Sequence, residues 1–508
     1  MRDQWTTPPC PLAKPMSEVA KPSLGTHYSR YLVGNILVLI ASFISFPVLT
    51  RLLDNRQYGI FGYFETWLMV LLAIVKLGAQ HSIIRFYPHG QPAAAVRSFI
   101  SSFLLVPFRY AMILWLALLV GYYFVSRHME HEVRIVGWCM IVLILPQVWT
   151  SLVNALIGIE ERSALYVRVA IVQRWAEMLA IVGTVYFLER SAIGAYAARV
   201  AVAIAMAIWL ARWLFRQHAP DPRAGVRGDW AKTLPYSAPL VANEISGSLL
   251  GLLDRVMLKH VLNDFVPVGI FSVGAGLAAT LNTVINQALS VAFTQVSMRQ
   301  YALEGAAVVV KTKRDTLRYM VYACVLLIAG LASVGRDFLL MLSGADKAAS
   351  APVFVILGSC YLVYGIVDLM GSGLLLLKRS KTMLALNVTA AIITLLVNLA
   401  LIPRYGVSGA VYATLIGYAV LGVGQLVFCP GELRAWPDAR ALLTALALGA
   451  LLAGVAFATD VFGLVSHFAR FAAIAPLSLV LFVIPAVLLD PVLRGYAWAW
   501  LRRHVGNA

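Results

Sequence analysis

The sequence predicts an all-α integral membrane protein of about fourteen transmembrane helices, and three observations predict it. Of its 508 residues, 60% are hydrophobic and only 13% charged, about half the charged share usual in soluble domains. The mean hydropathy is +0.80. Stretches of the ~20 mostly apolar residues needed to cross ~30 Å of hydrocarbon recur from Tyr31 to Leu489 with short polar breaks, leaving no room for a large soluble domain.

Taken in order, residues 1–30 are polar, carry Pro8, Pro9, Pro11, Pro15 and Pro22, and lack an apolar signal-peptide core. They read as a disordered cytoplasmic tail. Helices are expected near 31–53, 59–80, 97–124, 133–158, 164–188 and 193–216, giving a first lobe over 31–216. A cytoplasmic linker at 217–235 leads to helices near 236–258, 267–296, 316–341, 351–377, 383–402 and 408–428, a second lobe over 236–428. Two extra helices near 440–460 and 468–489 fall within 429–508, ahead of a cytoplasmic tail. Lys and Arg resist translocation. When the breaks are numbered alternately, 25 of the 41 basic residues lie in the set containing the amino-terminal tail and 10 in the other. Both termini are therefore expected in the cytoplasm, which requires an even number of spans.

The two lobes read as copies of one another. Leu49-Thr50-Arg51-Leu52-Leu53 with Gly59-Ile60-Phe61 is echoed by Leu253-Asp254-Arg255-Val256-Met257 with Gly269-Ile270-Phe271. Glu161-Arg162-Ser163 is echoed by Lys378-Arg379-Ser380, and Ile193-Gly194-Ala195 by Ser408-Gly409-Ala410. The offsets are 204, 210, 217 and 215 residues, and each match falls at the same place in the helix count. With six spans per half, the repeat is parallel, its axis along the membrane normal.

The stretch Phe46-Pro47-Val48-Leu49-Thr50-Arg51-Leu52-Leu53-Asp54-Asn55-Arg56-Gln57-Tyr58-Gly59-Ile60-Phe61-Gly62 resembles the first-to-second-helix signature of polysaccharide transporters. These are the Wzx-type lipid-linked oligosaccharide flippases of the multidrug/oligosaccharidyl-lipid/polysaccharide exporter superfamily. Ile402-Pro403-Arg404-Tyr405-Gly406-Val407-Ser408-Gly409-Ala410 resembles that family's turn between its eleventh and twelfth helices. The resemblance runs from about Arg30 to the end, through layout more than identity. It implies two lobes opening as a V around a central cavity lined by the first, second, seventh and eighth helices. It also implies alternating-access export of a polyprenyl-pyrophosphate-linked oligosaccharide across a bacterial inner membrane, for exopolysaccharide, capsule or O-antigen synthesis. A monomer without catalytic residues or cofactor is expected, with a polysaccharide polymerase or export machinery as candidate partner.

Ionisable groups at membrane depth are costly unless they face water or a partner. The bases are Lys76, Arg109, Arg168, Arg174, Arg199 and Arg255; the acids are Glu65, Glu177, Glu244, Asp254 and Asp368. The first half is net cationic and the second net anionic, which suits pyrophosphate on one side and a coupling proton or sodium ion on the other. Lys76, Arg109 and Arg174, with Arg30, Arg51 and Arg255, are the candidate pyrophosphate ligands. Glu65, Glu244 and Asp368 are candidates for cavity lining or ion coupling. Positions eleven apart lie ~20° from one helix face and ~16 Å apart, so Glu65 with Lys76, and Glu244 with Arg255, are each expected on one cavity wall. Other readings stand beside these: an internal Arg174–Glu177 pair, a snorkelling Arg168, and Arg255 neutralising Asp254. Pro47 and Pro239 are hinge candidates, because proline removes a helical hydrogen bond.

The charge of +17 comes without a basic, aromatic-laced patch for nucleic acid. The five cysteines are scattered, and His128 with His131 makes no metal site. No GxxxxGK[ST] loop or HExxH occurs. Two alternatives remain. A multidrug/cation antiporter of the same superfamily would favour an acidic cavity. A membrane-embedded glycan polymerase or ligase would favour large outer loops, whereas the longest loops expected, 217–235 and 298–315, are cytoplasmic.

Overall fold

The computed structural model describes residues 24–221, 233–377, 379–461 and 467–495. The expected tail up to residue 23 and most of the inter-lobe linker lie outside them, as does the side chain of Arg30. One bundle comprises α1 (Leu24–Leu52), α2 (Asn55–Val75), α3 (Ala79–Phe86), α4 (Ala93–Ile100), α5 (Val106–Val125), α6 (His131–Ile159), α7 (Ser163–Phe187) and α8 (Ala192–His218). A second comprises α9 (Leu234–Leu262), α10 (Val266–Asn282), α11 (Ala288–Leu303), α12 (Ala306–Ser343), α13 (Ala351–Gly371), α14 (Gly373–Leu376), α15 (Ser380–Tyr405) and α16 (Val407–Phe428). Then come α17 (Ala439–Val461), α18 (His467–Ser478) and α19 (Ile484–Leu489). Single π-helical turns at Ser101–Leu105, Thr283–Gln287 and Leu479–Val483 join α4 to α5, α10 to α11 and α18 to α19. No strand forms among the described residues.

Among the described residues, eleven helices are long and apolar enough to cross a membrane. Three further long helices, α1, α7 and α9, fall short of that standard for a physical reason. The apolar part of α1 is only Leu37–Leu52, while α7 carries Arg168, Arg174 and Glu177, and α9 carries Glu244, Asp254 and Arg255. The end of the bundles where the basic connections gather is here termed inner, the other outer.

Local chemistry sets several boundaries. The Asp54 carboxylate caps α2 by accepting from the Gln57 amide at 2.7 Å. Leu77 (φ 53°) and Gly78 (φ 67°) are both left-handed, so α2 ends at Val75 and the helix expected to run to residue 80 is broken. Two other expectations need correction. Residues 24–30 are helical, not tail, and the loop expected at 298–315 narrows to a break between Leu303 and Ala306.

The packing repeats. In the first bundle α1 packs on α7, α2 on α6, α5 on α6, α6 on α8 and α7 on α8. In the second, the counterparts pair in the same way: α9 on α15, α10 on α13, α12 on α13, α13 on α16 and α15 on α16. Even a helix entry recurs, since Arg162 (φ −81°, ψ 59°) and Arg379 (φ −80°, ψ 54°) precede α7 and α15 in one conformation. A core from Ile60 to Leu214 holds the first bundle, and another centred on α10, α12 and α13 holds the second. A smaller core fastens α17 and α19 to α12 through Val325, Ala445 and Ala486. Between the bundles, α2 lies against α9 and α10.

Candidate functional site

The seam between the bundles is closed at its outer end and at its inner end. At the outer end Arg51 donates from Nε to the Leu342 carbonyl at 2.9 Å and from Nη2 to the Met341 carbonyl at 2.5 Å. Reciprocally, fully buried Lys347 donates to the Leu53 carbonyl at 2.8 Å and pairs with Asp346 at 2.7 Å. The carbonyls are those left unsatisfied at the ends of α1 and α12, where helix dipoles favour cations. One turn in from that end, Gly59 of α2 and Gly269 of α10 bring their backbones into contact.

At the inner end Lys76 pairs with Glu244 across the seam at 2.9 Å. Gln80 donates to the same carboxylate at 3.3 Å, and His81 stands 3.7 Å from it. Ser82 shares hydrogen bonds with Thr233 at 2.9 Å and Ser237 at 2.7 Å. The Arg85 guanidinium lies 4.3 Å above the Tyr236 ring.

Behind this closure the first bundle contains a cavity of about 910 Å³, walled by α2, α3, α6 and α7 with Arg199 of α8. Its polar wall is made of the amides and hydroxyls of Gln80, Gln147, Thr150, Ser151, Asn154 and Gln173, beside apolar Leu72, Ile84 and Ile159. Gln80 Oε1 and Asn154 Oδ1 are buried without a hydrogen-bond partner. Its charged groups are already compensated. Arg199 grips Glu65 with both guanidinium nitrogens, Nη2 at 3.2 Å from Oε1, and the Tyr196 hydroxyl donates to Glu65 at 3.4 Å. Glu177 accepts from Gln173 at 3.1 Å and stands 3.7 Å from Arg174.

The expected convergence of Lys76, Arg109 and Arg174 on one watery vestibule is not what the structure holds. Lys76 is engaged by Glu244. Arg174 donates from Nε to Ser42 at 2.9 Å and makes the i,i+3 pair with Glu177. Arg109 is exposed on the far side of α6, in an apolar groove between α5, α6 and α8. Glu65 and Lys76 do not share a wall, because Glu65 turns to α8 and Lys76 to α9. Glu244 and Arg255 both face the α2 side, yet that face is packed: Arg255 donates to Ser272 at 3.0 Å beside Gly62. Asp368 lies inside the second bundle, accepting from Gln425 at 3.1 Å and Tyr364 at 3.4 Å. Pro47 and Pro239 sit within the continuous helices α1 and α9.

Arg255 does not neutralise Asp254, which points the other way. Fully buried, Asp254 accepts from Asn398 and Thr414, each at 2.7 Å. Among the described residues it has no ion pair, and Asn398 Oδ1, on the amide that donates to it, lacks a partner. Intramembrane acids were a signal the sequence contained. The neutral amides and hydroxyls of the cavity carry no such signal, since they are unremarkable in any membrane helix.

A family model described as "Polysaccharide biosynthesis protein" matches residues 26–298. No curated protein sequence matches the chain. Among solved structures, the chain is similar to the lipid II flippase MurJ in an inward closed conformation, with TM-score 0.73 and 12% identity over 90% of this chain and 98% of that one. It is also similar to an inward-facing multidrug resistance MATE family transporter of the MOP superfamily, with TM-score 0.60 and 14% identity over 85% and 99%. A third likeness is to the MATE multidrug transporter DinF-BH, with TM-score 0.55 and 15% identity over 81% and 97%. At these identities the likeness is one of fold.

Proposed function

The chain belongs to the polysaccharide biosynthesis protein family, and from that premise we propose that it is a flippase that carries a polyprenyl-pyrophosphate-linked oligosaccharide across a bacterial inner membrane by alternating access. The observation that carries this reading is the cavity of about 910 Å³ behind the inner closure, with its wall of amides and hydroxyls. Sugar hydroxyls both donate and accept, and the unpartnered oxygens of Gln80 and Asn154 are acceptors suited to such donors. A cationic drug would need an uncompensated acid in that cavity. Glu177 is compensated there by Gln173 and Arg174, which weighs against a multidrug antiporter. A glycan polymerase or ligase finds little room in outer connections as short as 53–54 and 263–265.

In this reading the protein crosses the membrane fourteen times, with both termini in the cytoplasm, and the two bundles act as lobes. Lys76 exchanges partners: the substrate pyrophosphate takes the lysine from Glu244, and losing that pair loosens the inner end. Gln80 belongs to both the closure and the cavity lining, so it links the two events. Pro47 and Pro239 serve as hinges. The return step uses a proton or sodium ion at Asp254, where Asn398 and Thr414 supply further oxygens of a kind suited to a hard cation. A buried carboxylate without an ion pair favours taking up positive charge.

Proteoliposomes containing labelled lipid-linked oligosaccharide test the proposal. Transfer of label between leaflets supports it. Movement of a cationic drug alone, or formation of a glycosidic bond, supports one of the alternatives.

A further inference from the structure

Arg109 forms no ion pair or hydrogen bond among the described residues, although it stands at membrane depth on α5. The aromatic run Tyr122, Tyr123 and Phe124 with Arg127 marks the outer interface of that helix. Arg109 is fourteen residues inward of Tyr123, about 20 Å along the axis. With ~30 Å of hydrocarbon, the inner interface is about 10 Å away, within reach of a snorkelling arginine. Beside it runs an apolar groove of about 420 Å³, walled by Phe108, Leu145, Trp149, Ile208 and Phe215. Trp149 is 6% exposed and its indole N–H lacks an acceptor.

We propose that this groove is a binding site for an anionic phospholipid of the inner leaflet, with its phosphate on Arg109 and an acyl chain along the groove. The charge is complementary, since a guanidinium without a protein anion at membrane depth is stabilised by a phosphate. The Trp149 ring walls the groove along which the acyl chain lies. The occupant is a phospholipid rather than the glycolipid substrate because α6 separates the two sites. That helix presents Thr150, Ser151 and Asn154 to the polar cavity, and Leu145, Pro146 and Trp149 to the groove. Sugars attached to a lipid in this groove would be walled off from the cavity.

Native mass spectrometry of the purified full-length protein, titrated with phosphatidylglycerol, phosphatidylcholine or polyprenyl phosphate, tests the site. The expected result is about tenfold tighter retention of phosphatidylglycerol than phosphatidylcholine. Arg109→Gln should abolish that preference and Arg109→Lys keep most of it, while Trp149→Phe weakens retention several-fold. Arg127→Gln, at the outer interface, should leave it intact. Equal retention of the two phospholipids, a preference that survives Arg109→Gln, or displacement of phosphatidylglycerol by polyprenyl phosphate would overturn the proposal. None of these results depends on whether the protein flips a glycolipid.

Discussion

Gly59 and Gly269, equivalent positions of the internal repeat, meet each other across the seam between the two bundles. A methyl on Gly269 would lie 1.7 Å from the Asn55 carbonyl oxygen, and one on Gly59 would lie 2.0 Å from the Phe265 carbonyl oxygen. Both obstacles are backbone, so neither can swing aside. Gly269→Ala should therefore force α2 and α10 apart and cost about 1–3 kcal/mol. Thermal unfolding should show a lower midpoint for Gly269→Ala than for Gly183→Ala, where nothing lies within 4 Å of the added methyl. Equal midpoints would mean that the seam is not packed this way.

The inner ion pair makes a charge-exchange prediction. Lys76→Glu sets two carboxylates against each other across the seam, so polymer export should fall at least tenfold, and Lys76→Glu with Glu244→Lys should recover much of it. The coupling between these partly exposed groups is on the order of 1 kcal/mol. An unrescued double variant would show that Lys76 acts in some way other than through Glu244.

Much of this architecture is legible in the sequence, and its weakest signals carry the most. The glycine pair and the Arg162–Arg379 helix entries fall at equivalent points because duplicated halves keep their contacts along with their backbone. What stays hidden is direction and partner. Asp254 and Arg255 are neighbours, yet one turns into the second bundle and the other toward α2. Lys76 and Glu244 are 168 residues apart, and helical spacing says nothing about a partner on another helix. Counting charges by lobe identified the costly groups but not which of them the fold had already neutralised.

Glu65 and Arg199 illustrate that cost. Glu65→Gln leaves the Arg199 guanidinium, 12% exposed, without its counter-charge, which should destabilise the protein by roughly 3–5 kcal/mol. Glu65→Leu with Arg199→Met should be milder than either single change. Thermal unfolding of the three variants checks the order, and a double variant worse than both singles would contradict it.

Asn154→Leu and Gln147→Leu remove hydrogen-bonding groups from the cavity wall without changing charge. Each should lower the transfer rate of a lipid-linked oligosaccharide by about five- to tenfold, in line with ~1–1.5 kcal/mol per lost hydrogen bond, while midpoints of unfolding change little. Rates at the wild-type level in both variants would place the sugars elsewhere.

Asp254→Asn keeps the shape of the buried site and removes its charge. Transport by this variant should lose its dependence on a proton or sodium gradient, whereas Asp368→Asn, whose acid is only half-buried and lies in the field of the Lys313 ammonium, should retain it. Gradient dependence measured in proteoliposomes decides between the two acids, and unchanged dependence in Asp254→Asn would exclude that site.

Alternating access requires the inner end to open, and Lys76 lies directly opposite Glu244 there. With the five native cysteines replaced, Ser82→Cys and Ser237→Cys, whose hydroxyls lie 2.7 Å apart in the same closure, can be joined by a disulfide that leaves Lys76 in place, and transfer of labelled lipid-linked oligosaccharide between leaflets measured before and after its reduction. Transfer should stop while the ends are tethered and resume once the tether is cut. Transfer at an undiminished rate through the tethered protein would contradict passage between the two bundles.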